Sequence, residues 1–129
     1  MGVGYLRNVV VDCPDPVALA RFYGELLGMP LVRADPEFVV LEDERLRLAF
    51  QPVPDLRAPR WPDPDRPQQM HFDVLVDDVD EAEARVVGLG AKRLPGEGAD
   101  FRVFEDPAGH PFCLVWRVGG VSDPAANVP

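Results

Sequence analysis

The sequence contains few of the residues that build disulfide frameworks and metal centres. It has two cysteines and two histidines in 129 residues. Cys13 and Cys113 stand 100 residues apart in apolar surroundings, and no CxxC pair is present. We therefore expect two reduced, buried thiols and no structural zinc knuckle.

Basic residues are also scarce. Lys and Arg total 13 against 22 Asp and Glu, which gives a net charge of −9. Nucleic-acid-binding proteins carry a basic face that neutralises phosphates, so we expect no nucleic-acid partner. An acidic balance leaves room for a cationic small-molecule ligand.

Long apolar runs are absent. No stretch approaches the roughly 20 apolar residues that a membrane span needs, so we expect no membrane partner. The first ten residues, MGVGYLRNVV, contain neither a basic leader nor a cleavage site. From this segment we expect a cytoplasmic protein. Apolar residues nevertheless make up 47% of the chain, enough for the core of one domain spanning residues 1–129.

An internal repeat organises the chain. A shift of 63 residues aligns residues 8–43 with 71–106 and gives eight identities. The identical pairs are Val11/Val74, Asp15/Asp78, Leu26/Leu89, Leu31/Leu94, Phe38/Phe101, Val40/Val103, Glu42/Glu105 and Asp43/Asp106. A repeat at a fixed period indicates two copies of one supersecondary unit.

Each copy reads as a strand, a helix and three further strands. The valine-rich runs LRNVVVDC and MHFDVLV predict the first strands. Aspartates then cap apolar, helix-periodic segments, VALARFYGELLG and VDEAEARVVGLG. Short strands bounded by turn residues follow at 30–34, 37–41 and 45–51, and at 91–94, 101–105 and 112–117. The sequence predicts an α+β fold of two βαβββ modules, at residues 4–51 and 68–117.

A proline-rich segment joins the two modules. Residues 52–67, PVPDLRAPRWPDPDRP, contain six prolines, which exclude a helix or a central strand. We interpret the segment as a stiff linker, with Trp61 as a candidate ligand contact, lid or subunit contact. Residues 118–129 are expected to form a flexible tail.

Three phrases resemble the vicinal oxygen chelate superfamily, which includes glyoxalases, bleomycin resistance proteins and extradiol dioxygenases. They are DCPDPVALARFYGELLG, QQMHFDVLVDD and DPAGHPFCLV, and the glyoxalase-like members are the most similar. The resemblance implies that the two modules curve into an open, cup-shaped mixed sheet and that the chain forms a homodimer. It also implies a divalent metal held by one ligand from the first strand and one from the last strand of each module.

Strand alternation locates those four positions in this chain. His71, Asp73 and Leu75 alternate with apolar residues and should line the cup. On the last strand, the same alternation turns Cys113 toward the cup. The corresponding positions in the first module are Asn8 and Ala49, or Gln51 if the register slips by two.

This set contains too few metal ligands, because alanine donates nothing and an asparagine carbonyl is a weak ligand. We therefore expect no metal or other cofactor, although a divalent metal stays an alternative. One alternative set is His71, Asp73 and His110, the residue types of a facial iron triad.

The sequence leaves three functions open. The first is a small-molecule-binding protein of the bleomycin-resistance type with a cationic or aromatic ligand, for which Asn8, Gln51, Trp61 and Cys113 are candidate contacts. The second is a metal-dependent lyase, isomerase or dioxygenase. The third is a metal-free enzyme in which His71 acts as a general base oriented by Asp73. Apolar neighbours predict that the Cys113 thiol is inert.

Overall fold

The structure, a computed structural model, describes residues 2–117. The chain divides into two compact units, with the boundary between Arg57 and Ala58. Within residues 2–117, each unit contains one helix and one four-stranded sheet. The predicted flexible tail at 118–129 lies outside the described residues.

The first unit has the order strand, helix, strand, strand, strand. Its elements are β1 (Val9–Cys13), α1 (Pro16–Leu27), β2 (Leu31–Asp35), β3 (Phe38–Glu42) and β4 (Arg47–Pro52). The strands lie in the order β1-β4-β3-β2. Strand β1 is parallel to β4, and the other two pairs are antiparallel.

The second unit repeats this topology. Its elements are β5 (Phe72–Leu75), α2 (Val79–Gly88), β6 (Lys92–Glu97), β7 (Phe101–Glu105) and β8 (Pro111–Val115). The strands lie in the order β5-β8-β7-β6, with β5 parallel to β8. Two modules of the same βαβββ order in an α+β fold were predicted from the sequence, and both are confirmed.

Aspartates begin both helices. The Asp15 Oδ1 atom accepts a hydrogen bond from the Ala18 amide at 3.1 Å, and Asp78 does the same for the Glu81 amide. Such a cap satisfies an amide that the first helical turn leaves without a partner. At the other end of α1, Gly28 has a left-handed conformation with φ 66° and ends the helix.

Each helix packs on one face of its own sheet. In the first unit, the Tyr23 ring stacks on Phe50 of β4, with ring centroids 5.9 Å apart. In the second, Arg102 of β7 donates to Asp80 and Glu83 of α2, which identifies the helix-covered face of that sheet. The opposite face of each sheet is therefore the one that carries the candidate site residues.

The boundaries differ from the predicted ones by one to three residues at most ends. The largest differences are three residues: β1 begins at Val9 and not at Leu6, and β6 continues beyond residue 94 through Pro95 and Gly96 to Glu97. Proline is tolerated there because β6 is an edge strand. Pro52, assigned to the linker, instead ends β4. A single domain over residues 1–129 stays a prediction.

Neither helix in the described part of the chain is both long enough and apolar enough to cross a membrane.

Replacement of Gly28 by alanine should destabilise the protein by about 1 kcal/mol, since a Cβ disfavours the left-handed conformation. A Cβ at Gly28 would meet no atom within 4 Å, so the cost is one of backbone conformation alone. Urea denaturation would measure it.

The matched control is Gly88→Ala, at the last residue of α2, where an added Cβ also meets nothing within 4 Å. There the substitution should be neutral or stabilise by up to about 1 kcal/mol. Equal effects at the two glycines would contradict the assignment of Gly28 as the helix terminator.

Candidate functional site

The parallel pairing of β5 with β8 creates the site. Asp73 lies directly opposite Cys113 in the register of these two strands. His71 immediately precedes β5, two residues before Asp73, and therefore shares its face. The predicted alternation of these three side chains is consistent with the observed register.

The three side chains converge. One donor atom from each of His71, Asp73 and Cys113 lies within 4.8 Å of the other two. The His71 Nε2 atom is 3.5 Å from Asp73 Oδ1, and the side chains are only 21% and 24% exposed. Cys113 is 3% exposed. An imidazole, a carboxylate and a thiol thus share one small, partly dehydrated volume.

This environment opposes negative charge. Burial raises the pKa of Asp73, and the nearby His71 partly offsets that effect. Burial also raises the pKa of Cys113 to about 12, and the Asp73 carboxylate adds to the increase. The thiol is consequently protonated at neutral pH, which agrees with the predicted inert cysteine and makes it a poor nucleophile without further activation.

An apolar surface borders the cluster. Cys113 belongs to a buried group with Val103 and Val115, and the group is covered in part by Leu94, Phe101 and Trp61. The Trp61 indole N–H donates to the Pro95 carbonyl oxygen at 2.6 Å, which fastens the proline-rich segment to β6. Trp61, predicted as a candidate contact, therefore lies on the same side of the second sheet as Cys113.

The first unit has the same register but different side chains. Val10 pairs with Ala49 as Asp73 pairs with Cys113, so Ala49 rather than Gln51 is the equivalent of the cysteine. Gln51 lies two pairs further along, opposite Asp12, and is exposed.

Asn8, the equivalent of His71, has a different partner. Its Oδ1 atom accepts a hydrogen bond from Arg47 Nε at 2.8 Å, and the same guanidinium contacts Glu42. A positive charge thus lies beside the position where the resemblance implied a metal ligand. Since Ala49 offers no donor atom, the four-ligand set drawn from both modules does not fit these residues.

All three residues of the cluster were candidates from the sequence, but not as one set of donors. The alternative metal set predicted there placed His110 with His71 and Asp73. Within residues 2–117, the group able to hold a metal contains Cys113 in that place. His110 lies in the turn before β8, where its amide donates to Asp106 Oδ1 at 3.0 Å. Cys113 joins the cluster because β8 pairs with β5, and alternation along one strand does not reveal that pairing.

We expect Cys113 to make stability depend on pH above neutrality. The pKa of the thiol is near 8.5 in the unfolded chain and about 12 in the folded chain. Between these values the folded protein keeps the thiol proton and the unfolded chain loses it, so a rising pH favours unfolding. The contribution of the protonated thiol to the free energy of unfolding is complete below pH 8.5 and declines as the pH rises toward 12. Between pH 7 and 10 the wild type should lose roughly 2 kcal/mol more stability than Cys113→Ala.

Urea denaturation at several pH values measures this difference, and Cys13, present in both proteins, cancels from it. Parallel pH profiles for wild type and Cys113→Ala would show that the thiol is not in the described environment.

Comparisons with known proteins agree with the topology. A family model described as a glyoxalase-like domain matches residues 8–115. No curated protein gives a significant match. A glyoxalase-related enzyme from Fulvimarina pelagi has 25% identity and a TM-score of 0.64, over 89% of each chain. A glyoxalase family protein from Enterococcus faecalis has 23% identity and a TM-score of 0.64, over 89% of this chain and 99% of that one.

A glyoxalase/bleomycin resistance protein/dioxygenase family enzyme from Burkholderia phytofirmans PsJN shares the fold at 18% identity. Its TM-score is 0.67, with 86% of this chain and 97% of that one covered. The family model spans every helix and strand that the structure describes. The chain therefore belongs to the glyoxalase-like domain family, within the vicinal oxygen chelate superfamily.

Proposed function

We propose that this protein binds a small cationic, aromatic molecule, as a member of the bleomycin-resistance type that lacks the four-ligand metal site of its superfamily. The observation that carries the proposal is a partly buried carboxylate, Asp73, beside an apolar surface that includes an indole. The acidic net charge of −9 favours a cation over an anion as the ligand.

Asp73 supplies the charge recognition in this proposal. Its side chain is 24% exposed, so a ligand can reach it while water screens it incompletely. Burial raises its pKa, which means that the environment does not stabilise the carboxylate well. A ligand cation would provide the missing stabilisation, and His71 would contribute a hydrogen bond.

Trp61 supplies the aromatic contact. Its hydrogen bond to Pro95 fixes the indole orientation, and a rigid aromatic surface costs little entropy on binding. Cationic and aromatic ligands both gain from contact with an indole face. Asn8 and Gln51 of the first unit stay predictions from the sequence as ligand contacts.

The comparisons support the class of function, not the ligand. One similar structure is described as a glyoxalase/bleomycin resistance protein/dioxygenase family enzyme. That description applies to the other protein and names no ligand. The poor fit of Asn8 and Ala49 to a four-ligand metal set favours the binding function over the metal-dependent chemistries that the superfamily also contains.

A series of aromatic probes of similar size tests the proposal. Benzylamine, benzyl alcohol and benzoate differ mainly in charge, and we expect affinity to fall in that order. Asp73→Asn should weaken benzylamine binding about tenfold, equivalent to about 1.4 kcal/mol, and leave benzyl alcohol unchanged. Tryptophan fluorescence or calorimetry measures both.

The matched control is Asp77→Asn, an exposed carboxylate just beyond β5. It removes the same charge and should have little effect on any probe. Benzoate binding as tightly as benzylamine, or equal losses in the two asparagine variants, would contradict recognition by Asp73.

We also propose that the protein acts as a cytoplasmic homodimer. Cys13 and Cys113 are thiols outside any disulfide, which suits a reducing compartment. Strands β1 and β5 are at the edges of their sheets and expose apolar side chains, with Val10 43% and Leu75 46% exposed. An exposed apolar edge strand is a ready surface for pairing with another chain.

Sedimentation equilibrium should therefore give twice the chain mass of 14.3 kDa. Val10→Lys and Leu75→Lys should each shift the protein toward monomer. Val87→Lys on α2, at a side chain 48% exposed, should not. A monomeric wild type, or equal dissociation by all three changes, would exclude these edges as the interface.

A further inference from the structure

We propose that the first unit binds a free α-amino acid with an apolar side chain, in a cavity between α1 and the strands β2 and β3. The cavity has a volume of about 320 Å³. It lies within the first unit, on the face of the sheet that the helix covers. The inference goes beyond the proposed function and does not depend on it.

Strand register identifies the face on which the cavity lies. Val39, which lines the cavity, pairs with Phe50 of β4, and the Phe50 ring stacks on Tyr23 of α1. Residues directly opposite in an antiparallel pair point to the same side of a sheet, so Val39 lies on the side of the helix. Ala49 immediately precedes Phe50 and therefore points to the other side. The cavity is thus separate from the positions where the resemblance implied ligands.

Small residues leave the space between the helix and the edge of the sheet. Ala20 and Gly24 of α1 and Ala34 of β2 all line the cavity. A Cβ at Gly24 would lie 3.8 Å from the Leu41 Cδ2 atom, so a longer side chain there would enter the same space. Glycine is otherwise unfavourable inside a helix, and its position here keeps the cavity open.

Apolar side chains form most of the remaining wall. They come from α1, from the turn after it and from the two strands, and they are Val17, Met29, Leu31, Val39 and Leu41. Val17 and Leu31 are exposed, so an apolar ligand would remove their surface from water. An engineered cavity of roughly 150 Å³ holds a benzene molecule. The larger volume here has room for a branched aliphatic or an aromatic side chain together with its polar head.

Two opposite charges border this apolar space. Arg21 and Glu25 also line the cavity, and both are exposed, one helical turn apart on α1. Within residues 2–117, neither of them forms a salt bridge. A basic residue four positions before an acidic one is the less favourable order for a pair on a helix, so both charges are available to a ligand.

The position of Glu25 supports a cationic group beside it. Glu25 lies in the last turn of α1, where the helix dipole is negative and no basic residue is present. A ligand ammonium group would stabilise this carboxylate, while Arg21 binds the ligand carboxylate. In an α-amino acid the two groups are attached to one carbon. That spacing suits two helix side chains whose Cβ atoms are about 5–6 Å apart.

Calorimetric titration with L-leucine and L-phenylalanine tests the proposal. We expect both to bind, and L-serine not to bind at about 10 mM, because its side chain gains nothing from the apolar wall. Asp73→Asn should leave both affinities unchanged. The proposal is overturned if neither amino acid binds at that concentration, if L-serine binds equally well, or if Asp73→Asn abolishes binding.

Two analogues of L-phenylalanine separate the charges. Arg21→Gln should weaken 3-phenylpropionate, which lacks the ammonium group, about tenfold and leave L-phenylalaninamide, which lacks the carboxylate, unchanged. Glu25→Gln should do the reverse. Both variants should weaken L-phenylalanine itself. These titrations use the Asp73→Asn background, since the proposed function predicts that L-phenylalaninamide, a cation, also binds at Asp73.

The second helix offers matched controls for these charges. Glu81→Gln and Arg85→Gln remove an exposed carboxylate and an exposed guanidinium, also one turn apart, on α2. Neither change should alter the affinity for any of the three compounds. Equal losses in the controls and in the α1 variants would mean that overall charge, not the cavity, governs binding.

Filling the cavity tests its location. Ala34→Leu, at an exposed position of an edge strand, should weaken L-phenylalanine binding more than about tenfold by occupying the space. Ala18→Leu, at an exposed alanine of α1 outside the cavity, should not. Far-UV circular dichroism would verify that both variants are folded. Methyl NMR of the wild type should show shifts at Leu31 and Leu41, and shifts confined to Val103 and Val115 would overturn the assignment.

Discussion

The parallel pairing of β5 with β8 is the constraint on which the candidate site depends. These strands are separated in sequence by the whole of α2, β6 and β7, yet their register places Asp73 opposite Cys113. His71 joins them because side chains two residues apart on a strand share a face. A slip of one residue would turn the carboxylate toward the helix and dissolve the cluster.

The two units show how one backbone plan can carry different chemistry. Both have a parallel pair in equivalent register, so their site positions correspond residue by residue. In the first unit those positions hold Asn8, Val10 and Ala49, and Arg47 occupies the neighbouring space with Glu42 as its partner. The cluster of imidazole, carboxylate and thiol lies in the second unit, while the equivalent positions of the first have an ion pair nearby and small apolar side chains.

Much of the fold could be predicted from the sequence because its signals are local. Asp15 and Gly28 mark the ends of α1 through a side-chain cap and a left-handed glycine, and both act on neighbouring residues. The 63-residue repeat then predicts the same order of strands and helix in the second unit. The alternation of polar and apolar residues around His71 also identified the face on which the site lies.

The composition of the site was harder to predict because it depends on pairing across long sequence separations. Alternation along one strand shows that Asp73 and Cys113 each face away from the helix, but not that they are opposite one another. For the same reason the sequence offered His110 as an alternative ligand, whereas within residues 2–117 the structure groups Cys113 with His71 and Asp73. The role of Arg47 as a partner of Asn8 left no signal in the sequence at all.

The bond between Trp61 and Pro95 has a consequence for how the second unit could be excised. The segment that begins at Ala58 belongs to the second unit, although its composition suggested a passive connection. A fragment that started at residue 68 would lack the indole and leave the surface of Val103 and Val115 open to water. The natural point of division therefore falls inside the proline-rich stretch, between Arg57 and Ala58, and the part of the stretch from Ala58 onward belongs with the second sheet.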